Sequence, residues 1–146
     1  MSYYRILLAD DEEEVRKAII RKIDWESLGF EVAGDADNGE EALEKIEQLK
    51  PDVVMTDIRM PYMDGLTLTA RIRQKYPSIK VLIFSGYDDF EYVRDMALLG
   101  IENYLLKPVN EEELISTISS TLEKITGEKA LKLKDELDAN LIRENI

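Results

Sequence analysis

Short apolar runs divide the chain: RILLA at 5–9, EVAGD at 31–35, DVVMTD at 52–57, KVLIFS at 80–85 and NYLLK at 103–107 each precede a turn or an amphipathic stretch. Three of these runs are nearly continuous in apolar residues and do not alternate, the pattern of a parallel strand covered by helices on both faces. Between them the apolar period lengthens to that of a helix, with Val15, Ile19 and Ile23, then Ala42, Ile46 and Leu49, then Leu68 and Ile72, then Phe90, Val93 and Ala97. The alternation βαβαβαβαβα predicts an α/β fold built on a doubly wound parallel sheet. Asn38 with Glu41, and Asn110 with Glu113, have capping-box spacing. Pro51 and Pro77 stop helices before strands, and Gly100 suits a helix C-terminus. Trp25 and Phe30 are expected in the core.

The last helix carries a stripe of Leu114, Ile118, Leu122 and Ile125 that should face the sheet. From Gly127 the pattern changes to a charged, strongly helix-forming segment with a stripe at Ala130, Leu133, Leu137 and Leu141 that nothing in the chain is left to cover. The expected organisation is one domain over 1–126, followed by a helical segment over 127–146 that is a frayed tail, a linker or the start of a coiled coil.

In an open parallel sheet, ligands bind outside the carboxyl ends of the strands, where strand order reverses. Those ends deliver Asp10 and Asp11, Asp57, Ser85, and Lys107 followed by Pro108. Singly, each has an ordinary explanation as a cap, turn former or edge residue. Together they form an oxygen-rich rim beside a cation, suited to Mg²⁺ and a phosphoryl group. Asp11 and Asp57 would ligate the ion, Asp10 would do so directly or through water, and the Arg59 backbone carbonyl would complete the protein set. The Asp57 carboxylate could then attack a phosphoryl group, Ser85 and Lys107 would hold its oxygens, and Gly86 would leave space for entry. Glu12 to Glu14 read as the acidic first turn of a helix.

Composition narrows the alternatives. Among 146 residues there are 19 Lys plus Arg against 31 Asp plus Glu, a net charge of −12, so no direct nucleic-acid binding by this chain is expected. The absence of Cys and His removes thiol chemistry, the usual zinc ligand and the usual general base. No leader and no apolar run near the ~18 residues of a membrane span are evident, which predicts a soluble cytoplasmic chain with no membrane partner.

The segments LLADDE, DVVMTDIRMPYMDGL, LIFSGY and YLLKPV, in this order and spacing, resemble the receiver domain of two-component response regulators over about residues 4–126. That resemblance implies a flavodoxin-like fold with strand order 2-1-3-4-5 and helices on both faces. It also implies that Asp57 is the phosphoacceptor, Asp10 and Asp11 the metal pair, Ser85 the switch hydroxyl, Lys107 the family lysine, Tyr104 the aromatic switch, and Lys107–Pro108 a cis peptide. Arg59 and Tyr87 flank the site and would tune acyl-phosphate lifetime. A sensor histidine kinase would be the donor, and the chain would catalyse at most its own phosphorylation and dephosphorylation. Phosphorylation would draw Ser85 inward, let Tyr104 rotate, and favour a homodimer or another output.

SGYDDFEYVRDMALLGIENYLLKPV and IDWESLGFEV further resemble receivers that precede an AraC-type helix-turn-helix domain, so DNA would be reached through an output domain that these residues do not include. Three rivals fit less well. A haloacid-dehalogenase-type phosphotransferase needs a second Asp where Arg59 stands. A flavodoxin-like cofactor binder would not present carboxylates to a phosphate. A scaffold acting only through its helical tail would not bind Mg²⁺.

Overall fold

The computed structural model describes residues 2–86 and 89–144, apart from the side chains of Phe90 and of residues 142–144. The strands are β1 (Tyr4–Ala9), β2 (Phe30–Ala36), β3 (Val53–Asp57), β4 (Lys80–Ser85) and β5 (Asn103–Leu106). The helices are α1 (Glu13–Lys22), α2 (Gly39–Leu49), α3 (Gly65–Lys75), α4 (Phe90–Ala97) and α5 (Glu111–Glu144). All strand pairings are parallel and the order is β2-β1-β3-β4-β5, the doubly wound flavodoxin-like arrangement.

Strand side chains alternate between two buried layers. Ile6, Leu8, Val53, Met55, Leu82 and Phe84 face α1 and α5, packing on Ile19, Ile23, Leu114, Ile118 and Ile125 together with Trp25 and Phe30. Leu7, Ala9, Val54, Val81 and Ile83 face the other way, onto Ala42 and Ile46 of α2, Leu68 and Ile72 of α3 and Met96 of α4. Because both faces are covered, the strands need apolar residues at nearly every position, which is why their sequences do not alternate.

Asn38 and Asn110 act as N-caps, accepting the backbone N–H of Glu41 at 2.9 Å and of Glu113 at 3.1 Å. The Glu41 carboxylate reaches back to the Asp37 N–H at 3.3 Å, one residue before the position a capping box would use. Lys50, φ +50°, ends α2 in the left-handed region, whereas α4 ends at Ala97 with Leu98 right-handed, and Gly100, φ +79°, closes the turn that follows.

Helix α4 departs from the expected stripe. Met96 is fully buried, Val93 only half-buried, and Ala97 is exposed. Among the described side chains of this helix Met96 is the one fully buried, Phe90 of the expected stripe lying outside them, and the space beside the helix is a groove of about 640 Å³ lined by Ser85, Val93, Ala97, Tyr104 and Leu106.

Helix α5 is continuous through Gly127, so its 34 residues extend roughly 50 Å at ~1.5 Å per residue. Lys80 pairs with Glu128 at 2.6 Å and with Glu102 at 3.3 Å, while the Lys129 ammonium lies 4.4 Å from the centre of the Tyr4 ring. These contacts hold the helix to the amino-terminal edge of the sheet. Beyond them Leu131, Leu133, Leu137 and Leu141 are all exposed.

Candidate functional site: an acidic rim at the strand ends

Register brings the carboxyl ends of the strands into line, with Ala9 beside Thr56, Asp57 beside Phe84, and Ser85 beside Leu106. The ladders continue one residue further at two places: Asp10 N–H donates to the Ala36 carbonyl at 3.0 Å and Lys107 N–H to the Ser85 carbonyl at 2.8 Å. Asp10, Asp57, Ser85 and Lys107 are thereby fixed by backbone pairing on a single rim.

Asp10 is 0% exposed and Asp57 6%. One ammonium serves both, since Lys107 Nζ stands 3.1 Å from an oxygen of each carboxylate. The other Asp10 oxygen accepts the Glu12 N–H at 2.8 Å, and the other Asp57 oxygen accepts the Ile58 N–H at 2.7 Å. Lys107 Nζ also lies 5.1 Å from the centre of the Phe84 ring, so the strand side chain beneath it limits where the charge can go. The Lys107–Pro108 peptide is cis.

Two buried carboxylates against one lysine leave negative charge in excess. Burial is the main cause that pushes Asp57 up to about 6 from the ordinary 3.8, with the Asp10 charge adding to the rise and Lys107 opposing it. Asp10 is also raised, chiefly by burial, against the Glu12 N–H and Lys107. Asp11 is exposed beside them. Among the described residues, the one group of three or more acidic side chains with an oxygen each within 4.8 Å of one another is Asp10, Asp11 and Glu12. Glu12, which begins α1 as expected by standing at its N-cap, also stands with the acidic pair, while Asp57 is joined to that pair through Lys107. An all-oxygen donor set with excess negative charge suits a hard divalent cation.

Two further ion pairs brace the rim. The buried Arg16 guanidinium bonds Asp35 at 2.5 Å and donates to the Asp10 carbonyl at 2.6 Å. Arg59 pairs through Nε with Asp89 at 2.6 Å and lies 5.7 Å from the Tyr92 ring centre. Neither Arg16 nor Asp89 was legible as part of the site, because a helix-face arginine and a helix-start aspartate ordinarily explain themselves. Ser85 is buried at the end of β4, and Gly86 follows it half-buried. Tyr104 is 49% exposed, facing the groove beside α4. Tyr87 lies outside the described residues.

The loop after Asp57 returns against the strand end through Gly65, whose N–H donates to the Ile58 carbonyl at 2.7 Å. A Cβ at Gly65 would stand 2.2 Å from the Asp57 carbonyl oxygen and 2.9 Å from Ile58 Cα. Both obstacles are backbone, so Gly65→Ala is expected to cost about 1–3 kcal/mol, as over-packing does. Urea unfolding checks this, and an unchanged midpoint would mean that the loop yields freely.

A buried aspartate, a lysine and an acidic pair at the carboxyl ends of a 2-1-3-4-5 sheet are the arrangement of a receiver-type domain. The comparisons agree. Residues 6–119 match the response regulator receiver domain family, and the chain belongs to it.

The uncharacterized transcriptional regulatory protein YesN of Bacillus subtilis is 41% identical over 92% of this chain and 38% of its own length. The transcriptional regulatory protein DegU of Brevibacillus brevis is 34% identical over 96% of this chain and 57% of its own length. The chain thus spans less than two thirds of these curated relatives. Among solved structures, the REC domain of AraT, a response regulator from Geobacillus stearothermophilus, is similar with a TM-score of 0.77 and 38% identity, covering 83% of this chain and 96% of that one. A two component transcriptional regulator AraC from Clostridium phytofermentans has a TM-score of 0.79 and 34% identity, covering 87% and 98%.

Proposed function

We propose that this chain is a phosphorylatable receiver that takes a phosphoryl group from a sensor histidine kinase onto Asp57 and passes the change to a transcriptional output. The observation that carries this reading is the buried Asp57 carboxylate sharing the Lys107 ammonium with Asp10 at the strand ends. Burial, which raises the Asp57 pKa to about 6, leaves the ionised carboxylate less stabilised by solvent than an exposed one, yet largely ionised at neutral pH.

In the transfer, an Asp57 oxygen forms a bond to phosphorus as the bond from phosphorus to the donor's histidine nitrogen breaks, and the freed imidazole takes up a proton. Lys107 compensates the added charge, and the Ser85 hydroxyl and Gly86 N–H donate to phosphoryl oxygens. Asp10, Asp11, Asp57 and the Arg59 carbonyl would hold Mg²⁺, which when bound neutralises charge on the transferring group. The chain acts only on itself, not on an external substrate.

Output would pass through the β4–α4 loop. Drawing Ser85 toward a phosphoryl group opens room beside it, and the exposed Tyr104 borders the same groove as Val93 and Ala97 of α4. Tyr104 turning inward would reshape the face formed by α4, β5 and α5 and favour a homodimer. Residues 1–126 form the receiver, and 127–146 lead as a helical linker toward an AraC-type DNA-binding domain, so nucleic acid is not bound by this chain itself. No helix among the described residues is long and apolar enough to cross a membrane, and we infer a cytoplasmic site of action.

Intact mass spectrometry after incubation with a small acyl phosphate, with and without Mg²⁺, tests the central claim. One phosphoryl adduct that needs Mg²⁺ and disappears in Asp57→Ala is the expected result. An adduct that survives that substitution would move the acceptor elsewhere.

A further inference from the structure

Asp89 occupies the N-cap position of α4 but does not cap it, accepting no hydrogen bond from the helix's first turn. Asn38, Asp64 and Asn110 each accept the backbone N–H three residues on. The Asp89 carboxylate instead turns back toward the rim. One oxygen accepts the Gly86 N–H at 3.1 Å and the other pairs with Arg59 Nε at 2.6 Å, while the Asp89 N–H donates to the Gly86 carbonyl at 3.3 Å. At 4% exposure this carboxylate has little water to fall back on. It ties the loop that follows Asp57, through Arg59, to the loop that follows Ser85, through Gly86.

Both groups it holds are donors suited to a phosphate. A phosphoryl group on Asp57 would bring roughly two negative charges and several acceptor oxygens, and would compete for the same N–H and guanidinium. A displaced Asp89 would not be left stranded, because the first-turn N–H groups of α4, to which its side chain now gives no cap bond, lie directly after it. The side chain thus has two arrangements, each with partners. Met96 is the one fully buried side chain of α4 among the described residues.

Building on the phosphoacceptor reading, we propose that Asp89 is a positioning residue: it holds the Gly86 N–H away from the Asp57 site until phosphorylation, then turns to cap α4.

Three substitutions separate the two roles. Asp89→Ser is too short to reach both donors but remains a good N-cap. Asp89→Ala can do neither, and Asp89→Asn keeps the shape while losing the charge. The rate of Mg²⁺-dependent adduct formation from a small acyl phosphate is expected to rise about two- to fivefold in Asp89→Ser and Asp89→Ala, and less in Asp89→Asn, the scale of a partly exposed ion pair.

Amide hydrogen exchange supplies the readout that a merely structural role would not produce. Gly86 N–H should exchange faster in unphosphorylated Asp89→Ser than in the wild type. On phosphorylation the first turn of α4 should gain protection in the wild type and Asp89→Ser but not in Asp89→Ala. Unchanged or slower adduct formation in all three variants, or equal protection of α4 in Asp89→Ala, would overturn the proposal while leaving Asp57 as acceptor. Absence of any adduct in the wild type would overturn the phosphoacceptor reading itself, and the proposal with it.

Discussion

Lys107→Met should destabilise the domain by about 3–5 kcal/mol at pH 7.5, the scale of breaking a buried pair and leaving its charge uncompensated. The substitution keeps most of the apolar stem over Phe84 but removes the ammonium that stands 3.1 Å from both Asp10 and Asp57. With 0% and 6% exposure, neither carboxylate can turn to water for compensation. Protonation offers a partial escape, so the deficit should shrink as pH falls toward 5. Denaturant unfolding across that range checks both points. If Mg²⁺ binds as proposed, millimolar Mg²⁺ should recover part of the loss by mass action. A deficit below about 1 kcal/mol at pH 7.5 would mean that water already reaches the pair.

Asp57→Asn should do the opposite and stabilise the domain, by up to about 3 kcal/mol in Mg²⁺-free buffer at pH 7.5. Folding raises the Asp57 pKa from an ordinary 3.8 to about 6, so between those values the folded state binds more protons than the unfolded state. Wild-type stability therefore falls as pH rises through that window, and the cost of the ionised carboxylate is complete above about pH 6. At ~1.4 kcal/mol per unit, the shift corresponds to about 3 kcal/mol. An asparagine has no such titration and retains an oxygen for the Ile58 N–H. The advantage of the variant should thus be near zero at pH 4 and largest above pH 6.5. A pH-independent difference would show that burial of Asp57 is not what costs stability.

The opposite signs at Lys107 and Asp57 have one physical origin. A rim optimised for stability would match charges, whereas this one buries two carboxylates beside a single lysine and adds Asp11 and Glu12 at its edge. The domain carries that imbalance where a cation and a phosphoryl group could use it.

The strand ends were legible because apolar runs stop abruptly at Asp10, Asp57, Ser85 and Lys107, and a parallel sheet places all such ends on one side. The two Asn caps were legible from local backbone chemistry alone, while Gly100, expected to cap α4, instead closes the turn two residues beyond its Leu98 C-cap. At α4 periodicity counted Ala97 as core, but Ala97 is exposed on an open groove, and among the described side chains Met96 is the one fully buried. Glu12 does stand at the helix start, as the N-cap of α1, but its membership of the acidic cluster was not legible, because a run of like charges carries no mark dividing dipole partners from cluster members.

What the sequence determined by itself is therefore whatever depends on neighbours along the chain: the alternation of strands and helices, the two-sided burial of the sheet, the caps, and the set of chemically capable residues at strand ends. The four family motifs carried the strand order as well. Tertiary structure alone decided that one ammonium serves two carboxylates, that Arg16 holds the Asp10 carbonyl, and that Asp89 turns from α4 toward Arg59 and Gly86. These pairings join residues 97, 50, 6 and 30 positions apart in the chain. Their energies depend on burial and on a few ångströms of separation, quantities that exist only once the sheet has brought distant segments together.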